Sequence, residues 1–233
     1  MKNLIIGNGL IATEAKKSWP NSGEFVIFAS GVSDSACKDS DEFKREKNLL
    51  SDTIRALEEK QCLIYFSTCS IYDPSLASSL YVNHKLEMEA LVGGLECHYI
   101  FRLPQVVGAR ANGKTLVNHL FNQITNNAEI LLQSNARRNL IDVVDVIKLA
   151  SFISMNKINA NSLVNLASTR YHMVSEIVEV LSEITKIKPV VRMIDAGTSY
   201  DINTELIKRW LTASEVTFDE AYLKNILSRY YRD

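Results

Sequence analysis

The chain has 233 residues, 46% hydrophobic and 23% charged, with a net charge of −1 at neutral pH. That composition is that of a globular protein with material for a sizeable core, as one large domain or one domain with a small lobe. It has no long basic run to suit nucleic acid or an acidic membrane surface, and no apolar stretch of membrane-spanning length.

Short β-rich apolar runs alternate with longer amphipathic segments along the chain. Strands are predicted at "NLII" (3–6), "FVIF" (25–28), "CLIYF" (62–66), "HYIFRL" (98–103) and "LVNLA" (163–167). Helices are predicted over 10–18, 41–60, 80–95, 113–126, 142–155 and 173–186. This alternation argues for βαβ units, a parallel sheet and helices on both faces. In the 41–60 segment, Phe43, Leu49, Leu50, Ile54 and Leu57 form one apolar stripe, read as packing against the sheet or a partner subunit.

The first predicted strand runs into "GNGLIA", placing Gly7-x-Gly9-x-x-Ala12 at the mouth of the first helix. Gly7 permits the tight turn, Gly9 lets backbone approach a pyrophosphate, and small Ala12 lets helix pack on strand. The helix N-terminus offers unpaired N–H groups and a partial positive charge to phosphates. A glycine turn that merely connects strand to helix is the plain alternative. The carboxylate that should follow on the next strand to hold the adenosine ribose is missing, because "FVIFASG" ends in Ala29-Ser30-Gly31.

Further on, Thr68 closes the strand "CLIYFST", and Tyr81 and Lys85 lie one helical turn apart in "YVNHK". An ammonium beside a phenol favours the phenolate, so Lys85 is expected to draw the Tyr81 pKa down toward neutrality. In a chain with nine tyrosines the spacing alone also fits two unrelated residues on a solvated helix. Four separated cysteines (Cys37, Cys62, Cys69, Cys97) follow an opening "MKN" with no signal-type apolar stretch, and are expected as reduced thiols in a cytoplasmic protein. The four histidines show no metal-ligand spacing, so no metal site is expected.

Four segments together resemble the extended short-chain dehydrogenase/reductase superfamily, in its NAD-dependent epimerase/dehydratase branch. They are the glycine turn, "FVIFASGVSDS" with "EFKREKNLLSDTIRALEEK", "LIYFSTCSIYDP…YVNHK", and "FRLPQVVG" followed by "RRNLIDVVDV". The tail segments "LVNLAS" and "YDINTELIKRWL" are similar as well, so the likeness runs nearly end to end. In register, "FASG" is similar to the family's fourth strand, and the second and third strands with their helices are missing. The resemblance therefore implies a Rossmann-like, doubly wound parallel sheet of reduced strand number, with a small C-terminal substrate-binding lobe. Residues 1–110 plus 138–165 would form the cofactor-binding part, and 111–137 plus 166–233 the lobe.

The resemblance implies NAD or NADP, not distinguishable here, held by Gly7, Asn8, Gly9, Leu10, Ile11, Ala29, Ser30, Gly31, Tyr81, Lys85 and Leu103. It implies a catalytic set of Thr68, Tyr81 and Lys85, with Lys85 also bonding the nicotinamide ribose, and substrate contacts from Thr68, Gln105 and Arg138. Family members that eliminate water carry Asp-Glu after the threonine. Cys69-Ser70 stands there instead, so ketone reduction or epimerisation of a nucleotide-linked sugar is expected. Surface polysaccharide synthesis would be the setting and a homodimer through the 41–60 and 80–95 helices the assembly, with no nucleic acid or membrane partner. Cys69 is read as a packed thiol, His119 as a helix-surface residue and Asp145 as a helix cap or packing residue. The alternative is a non-catalytic binding or regulatory module, or an inactive partner subunit, that keeps the fold.

Overall fold

The computed structural model describes residues 2–109 and 115–232. Its centre is a parallel sheet of five strands: β1 (Leu4–Ile6), β2 (Phe25–Phe28), β3 (Cys62–Thr68), β4 (His98–Leu103) and β9 (Ser162–Asn165), in the order β1-β2-β3-β4-β9. Side chains alternate across it. Ile27, Ile64, Phe66 and Phe101 enter the main core, while Val26, Phe28, Leu63, Tyr65 and Ile100 enter a second core on the opposite face. On the first face α1 (Leu10–Ser18) packs with α5 (Val143–Met155), and on the second α2 (Ser40–Arg55) packs with α3 (Leu80–Gly93). Both faces are covered, the condition for a parallel sheet whose strands read as continuous apolar runs.

Strand β1 is the edge of the sheet. Among the described strands none pairs with its outer side, and Leu4 there is 56% exposed. The neighbour on its inner side is β2, in the register Leu4↔Val26 to Ile6↔Phe28. A doubly wound sheet with two strands missing ends at this place.

The remaining elements stand beyond the sheet. Strand β5 (Gln105–Val107) pairs parallel with β8 (Leu140–Asp142), and β7 (Arg137–Arg138) pairs antiparallel with β10 (His172–Met173). Strand β6 (Glu129–Gln133) pairs parallel with β11 (Val190–Ile194). Helices α4 (Leu116–Thr125), α6 (Val174–Thr185), α7 (Glu205–Lys208) and α8 (Tyr222–Tyr231) complete the chain, with α6 packed against both α4 and α8. The first residues of the helix expected over 113–126 lie outside the described residues. No described helix is long and apolar enough to cross a membrane.

One expectation is overturned. Cys62 and Cys97 form a disulfide, while Cys37 and Cys69 are free. The cause is strand pairing: the Leu63 N–H donates to the Cys97 carbonyl at 3.1 Å, which brings the two Cα atoms to 4.7 Å. Thirty-five residues separate the pair, so no local spacing announces it.

Candidate active site

The carboxyl ends of the parallel strands bring the expected residues to one side of the molecule, where ligands sit in open α/β sheets. Gly7 adopts φ +122°, and a Cβ there would lie 2.2 Å from the Ala29 carbonyl oxygen. Only glycine lets the turn after β1 press against the end of β2. Gly9, by contrast, faces open space, and α1 begins on it with no side-chain cap and no acidic residue in its first turn. The helix N-terminus is therefore bare and suited to an anion, as a dinucleotide pyrophosphate requires. Leu10 packs on Gly108, whose added Cβ would stand 2.5 Å from it.

Ala29, Ser30 and Gly31 continue from β2 toward the catalytic candidates. Gly31 is in close contact with them: a Cβ would meet Lys85 Nζ at 2.5 Å and Glu46 Oε1 at 2.9 Å. Thr68, at the end of β3, lies beside Tyr81, and its hydroxyl oxygen accepts the Ser70 N–H at 3.0 Å. Ser79 caps α3 by accepting the Val82 N–H, which sets Tyr81 and Lys85 on the inward face of the first turns. All three side chains are buried, and the Lys85 ammonium lies 5.9 Å from the Tyr81 ring centre.

Glu46 is the residue that sequence reasoning missed. It lies on α2 and is 0% exposed. Its Oε1 accepts from Lys85 Nζ at 2.9 Å and from the Tyr65 hydroxyl at 2.7 Å, and its Oε2 accepts the Val32 N–H at 2.6 Å. His84 Nε2 stands 3.1 Å from Oε2, off the line a hydrogen bond needs, with its ring stacked on Phe43. Burial alone would raise this carboxyl's pKa. His84, Lys85 and the Val32 N–H overcome it and hold the group at about 2. Lys85 also donates to Tyr65 Oη at 3.2 Å, so two of its three N–H groups are used. The available signal was periodic: Glu46 falls three residues after Phe43 and four before Leu50, inside the apolar stripe itself.

The expectation that Lys85 would draw the tyrosine toward neutrality is corrected. Burial pushes the Tyr81 pKa up to about 12; the Thr68 hydroxyl beside it pulls it down, and the charges of Glu46 and Asp34 add to the rise. The ammonium that should favour phenolate is held by Glu46 instead. Tyr81 is a phenol across the neutral range.

A second buried ion pair lies below the site. Arg102 on β4 donates to Glu89 of α3 through Nε at 2.8 Å and Nη2 at 2.6 Å, and Ser67 joins Glu89 at 2.5 Å. Arg102 also reaches the Tyr72 hydroxyl at 2.8 Å, which donates to Asn165 of β9 at 3.0 Å. These bonds tie the ends of β3, β4 and β9 together. Cys69 is wholly buried, and burial drives its thiol pKa far up.

The candidate substrate residues are less concentrated. Leu103 is buried at the end of β4, and Gln105 opens β5, half-buried. Arg138 on β7 donates to its own chain, to the carbonyls of Arg137 at 2.9 Å and Thr198 at 2.7 Å. Thr198 in turn donates to Asp73 at 3.2 Å, so the segment before α7 lies across this side. His119 is exposed on α4, and Asp145 in the first turn of α5 accepts from the Tyr222 hydroxyl at 2.7 Å.

No family model and no curated protein sequence matches the chain. Solved structures do. A dTDP-4-dehydrorhamnose reductase ortholog from Clostridium acetobutylicum superposes with a TM-score of 0.75 at 15% identity, covering 99% of this chain and 98% of that one. The chain shares that structure's Rossmann-like α/β fold. RMD from Pseudomonas aeruginosa, solved with NADPH, gives a TM-score of 0.70 at 17% identity over 90% of this chain and 80% of that one. UDP-glucuronic acid 4-epimerase from Bacillus cereus, solved with NAD, gives 0.67 at 16% identity over 96% and 76%.

Proposed function

We propose that the chain is a nicotinamide-dependent oxidoreductase or epimerase acting on a nucleotide-linked sugar, in the synthesis of a surface polysaccharide. The observation that carries this reading is the meeting of three buried side chains at the end of β3: Thr68 beside Tyr81, where its hydroxyl lowers the phenol's pKa, and Lys85 with its ammonium 5.9 Å from the Tyr81 ring centre. Such a hydroxyl, phenol and amine can orient a carbonyl and move a proton at its oxygen. The bare N-terminus of α1 at Gly9 would take the pyrophosphate, with Gly7, Asn8, Leu10 and Ile11 around it. Ala29, Ser30, Gly31 and Leu103 would line the rest of the cofactor path, and the third N–H of Lys85 would meet a ribose hydroxyl. When bound, the nicotinamide would give or take a hydride at the sugar carbon. Tyr81 would hold the proton at the sugar oxygen while Thr68 fixes that oxygen's position. Gln105 and Arg138 would contact the substrate, which for Arg138 means exchanging the Thr198 carbonyl for a phosphate oxygen. Residues 1–110 with 138–165 would serve the cofactor, and 111–137 with 166–233 the sugar nucleotide.

Calorimetry with NADH and NADPH, followed by turnover of UDP-, dTDP- and GDP-linked 4-keto sugars, tests this reading. Saturable binding and a fall of at least about 100-fold in turnover for Tyr81→Phe, with its fold intact, are expected. No heat with either nucleotide would remove the proposal. The engagement of Lys85 by Glu46 favours one other reading, a binding module that keeps the fold; unchanged function in Tyr81→Phe would select it. A homodimer through α2 and α3, where Leu86 and Leu91 are exposed, is part of the proposal and is read by native mass. So is a cytoplasmic setting, tested by thiol labelling of Cys62 and Cys97 in chain taken directly from cells.

A further inference from the structure

Packing α2 on the sheet needs an apolar residue at position 46, and the chain puts a carboxylate there. A buried charge is tolerated only when paired and hydrogen-bonded. Glu46 meets both conditions through Lys85, Tyr65 and the Val32 N–H, at 2.6 to 2.9 Å. Its partners are the candidate catalytic amine and the strand beneath it. Gly31, which carries no Cβ, leaves the room on the β2 side that the ammonium and its counter-ion occupy.

We propose that Glu46 is a positioning residue and internal counter-ion: it fixes the Lys85 ammonium and keeps Tyr81 protonated, the form that carbonyl reduction uses. This deepens the function proposed above and rests on it. In reduction, the carbonyl carbon gains a C–H bond from the hydride of the reduced nicotinamide, which is thereby oxidised. The C=O π pair moves to oxygen, which takes the Tyr81 proton, and the phenolate recovers a proton from water. The reverse reaction needs phenolate first, and the Glu46 charge opposes it. The charged and titratable groups that act on the phenol or on the Lys85–Glu46 pair beside it come from every adjoining element: Arg45 and Glu46 on α2, His84, Lys85 and Glu89 on α3, and Tyr65 and Thr68 on β3. Asp34 after β2 and Cys69 after β3 complete them.

The test is an alkaline titration of tyrosinate absorbance in the native chain, Glu46→Gln, Tyr81→Phe and the double variant Glu46→Gln/Tyr81→Phe. Removing the carboxylate is expected to bring the Tyr81 step about one to two pH units earlier. Tyr65 also loses a charged neighbour, so the Tyr81 step is the one that Glu46→Gln/Tyr81→Phe lacks. Glu46→Asp, which restores the charge, is expected to titrate like the native chain. Identical titrations of native and Glu46→Gln proteins would overturn the proposal. If Glu46→Gln does not fold by circular dichroism, Lys85→Met is compared with Lys85→Met/Glu46→Gln: an earlier step in the double variant supports it, and equal steps refute it. The titration needs no cofactor. Failure to bind NADH or NADPH in a parallel fluorescence titration would refute the nicotinamide reading and leave this result standing.

Discussion

The two ends of the side formed by the carboxyl ends of the strands are built differently. Around Lys85 the chain is closed: Glu46, Tyr65, Tyr81 and Thr68 are buried, Glu46 bonds Lys85, Tyr65 and the Val32 N–H, and Thr68 accepts the Ser70 N–H. Around Gly9 it is open, with a bare helix N-terminus beside the exposed edge strand β1. The contrast separates a packed, bonded wall from a turn left open to solvent. A nicotinamide would meet the closed, charged wall, and an adenosine would extend past the edge strand β1, with which no further described strand pairs.

Substitutions on the closed side should act on stability first. Lys85→Met leaves the buried Glu46 carboxylate uncompensated and is expected to lower unfolding free energy by about 3 to 5 kcal/mol, read by urea denaturation; a loss under about 1 kcal/mol would mean the pair is not buried. On the open side the two glycines should part company. Gly7→Ala forces a Cβ into the Ala29 carbonyl at φ +122° and is expected to lose about 3 kcal/mol or more. Gly9→Ala meets nothing within 4 Å and should fold normally by the same assay.

Acid gives a smaller and graded effect. Glu46 is held at about 2 in the folded chain, against 4.5 for the free group. The unfolded state therefore binds the extra proton between these values, and the stabilisation is complete above pH 4.5 and lost as pH falls toward 2. The urea midpoint of Glu46→Gln should accordingly fall less steeply with pH in that window than that of the native chain. Parallel slopes would show that other carboxylates govern acid unfolding.

Much of the sheet was legible, for a physical reason. Strands buried on both faces, such as Phe25–Phe28 and His98–Leu103, read as unbroken apolar runs, and their bounds are those expected. The missing strands were legible too, since Ala29-Ser30-Gly31 follows the glycine turn too soon, and β1 is indeed the edge. The small pairs β5–β8, β6–β11 and β7–β10 were not. They are two to five residues long, and β11 is largely exposed, so neither period nor burial marks them. Thr68, Tyr81 and Lys85 could be placed by their order along strand and helix. Glu46 could not, because a glutamate in an amphipathic helix is ordinarily a solvent-facing residue, and only the three-dimensional meeting of α2, α3 and β3 makes it the partner of Lys85. The Cys62–Cys97 bridge escaped for the same reason.

The central claim is that a nicotinamide lies between the open Gly9 turn and the closed Lys85 wall. Its most direct measurement is calorimetric binding of NADH and NADPH to the native chain and to Gly9→Val. The account predicts saturable binding of both nucleotides with affinities within about threefold of each other, since the strand after the glycine turn ends in Ala29-Ser30-Gly31 without a ribose-binding carboxylate, and at least about tenfold weaker binding in Gly9→Val. Absence of binding in the native chain, or equal binding in a correctly folded Gly9→Val, would contradict it.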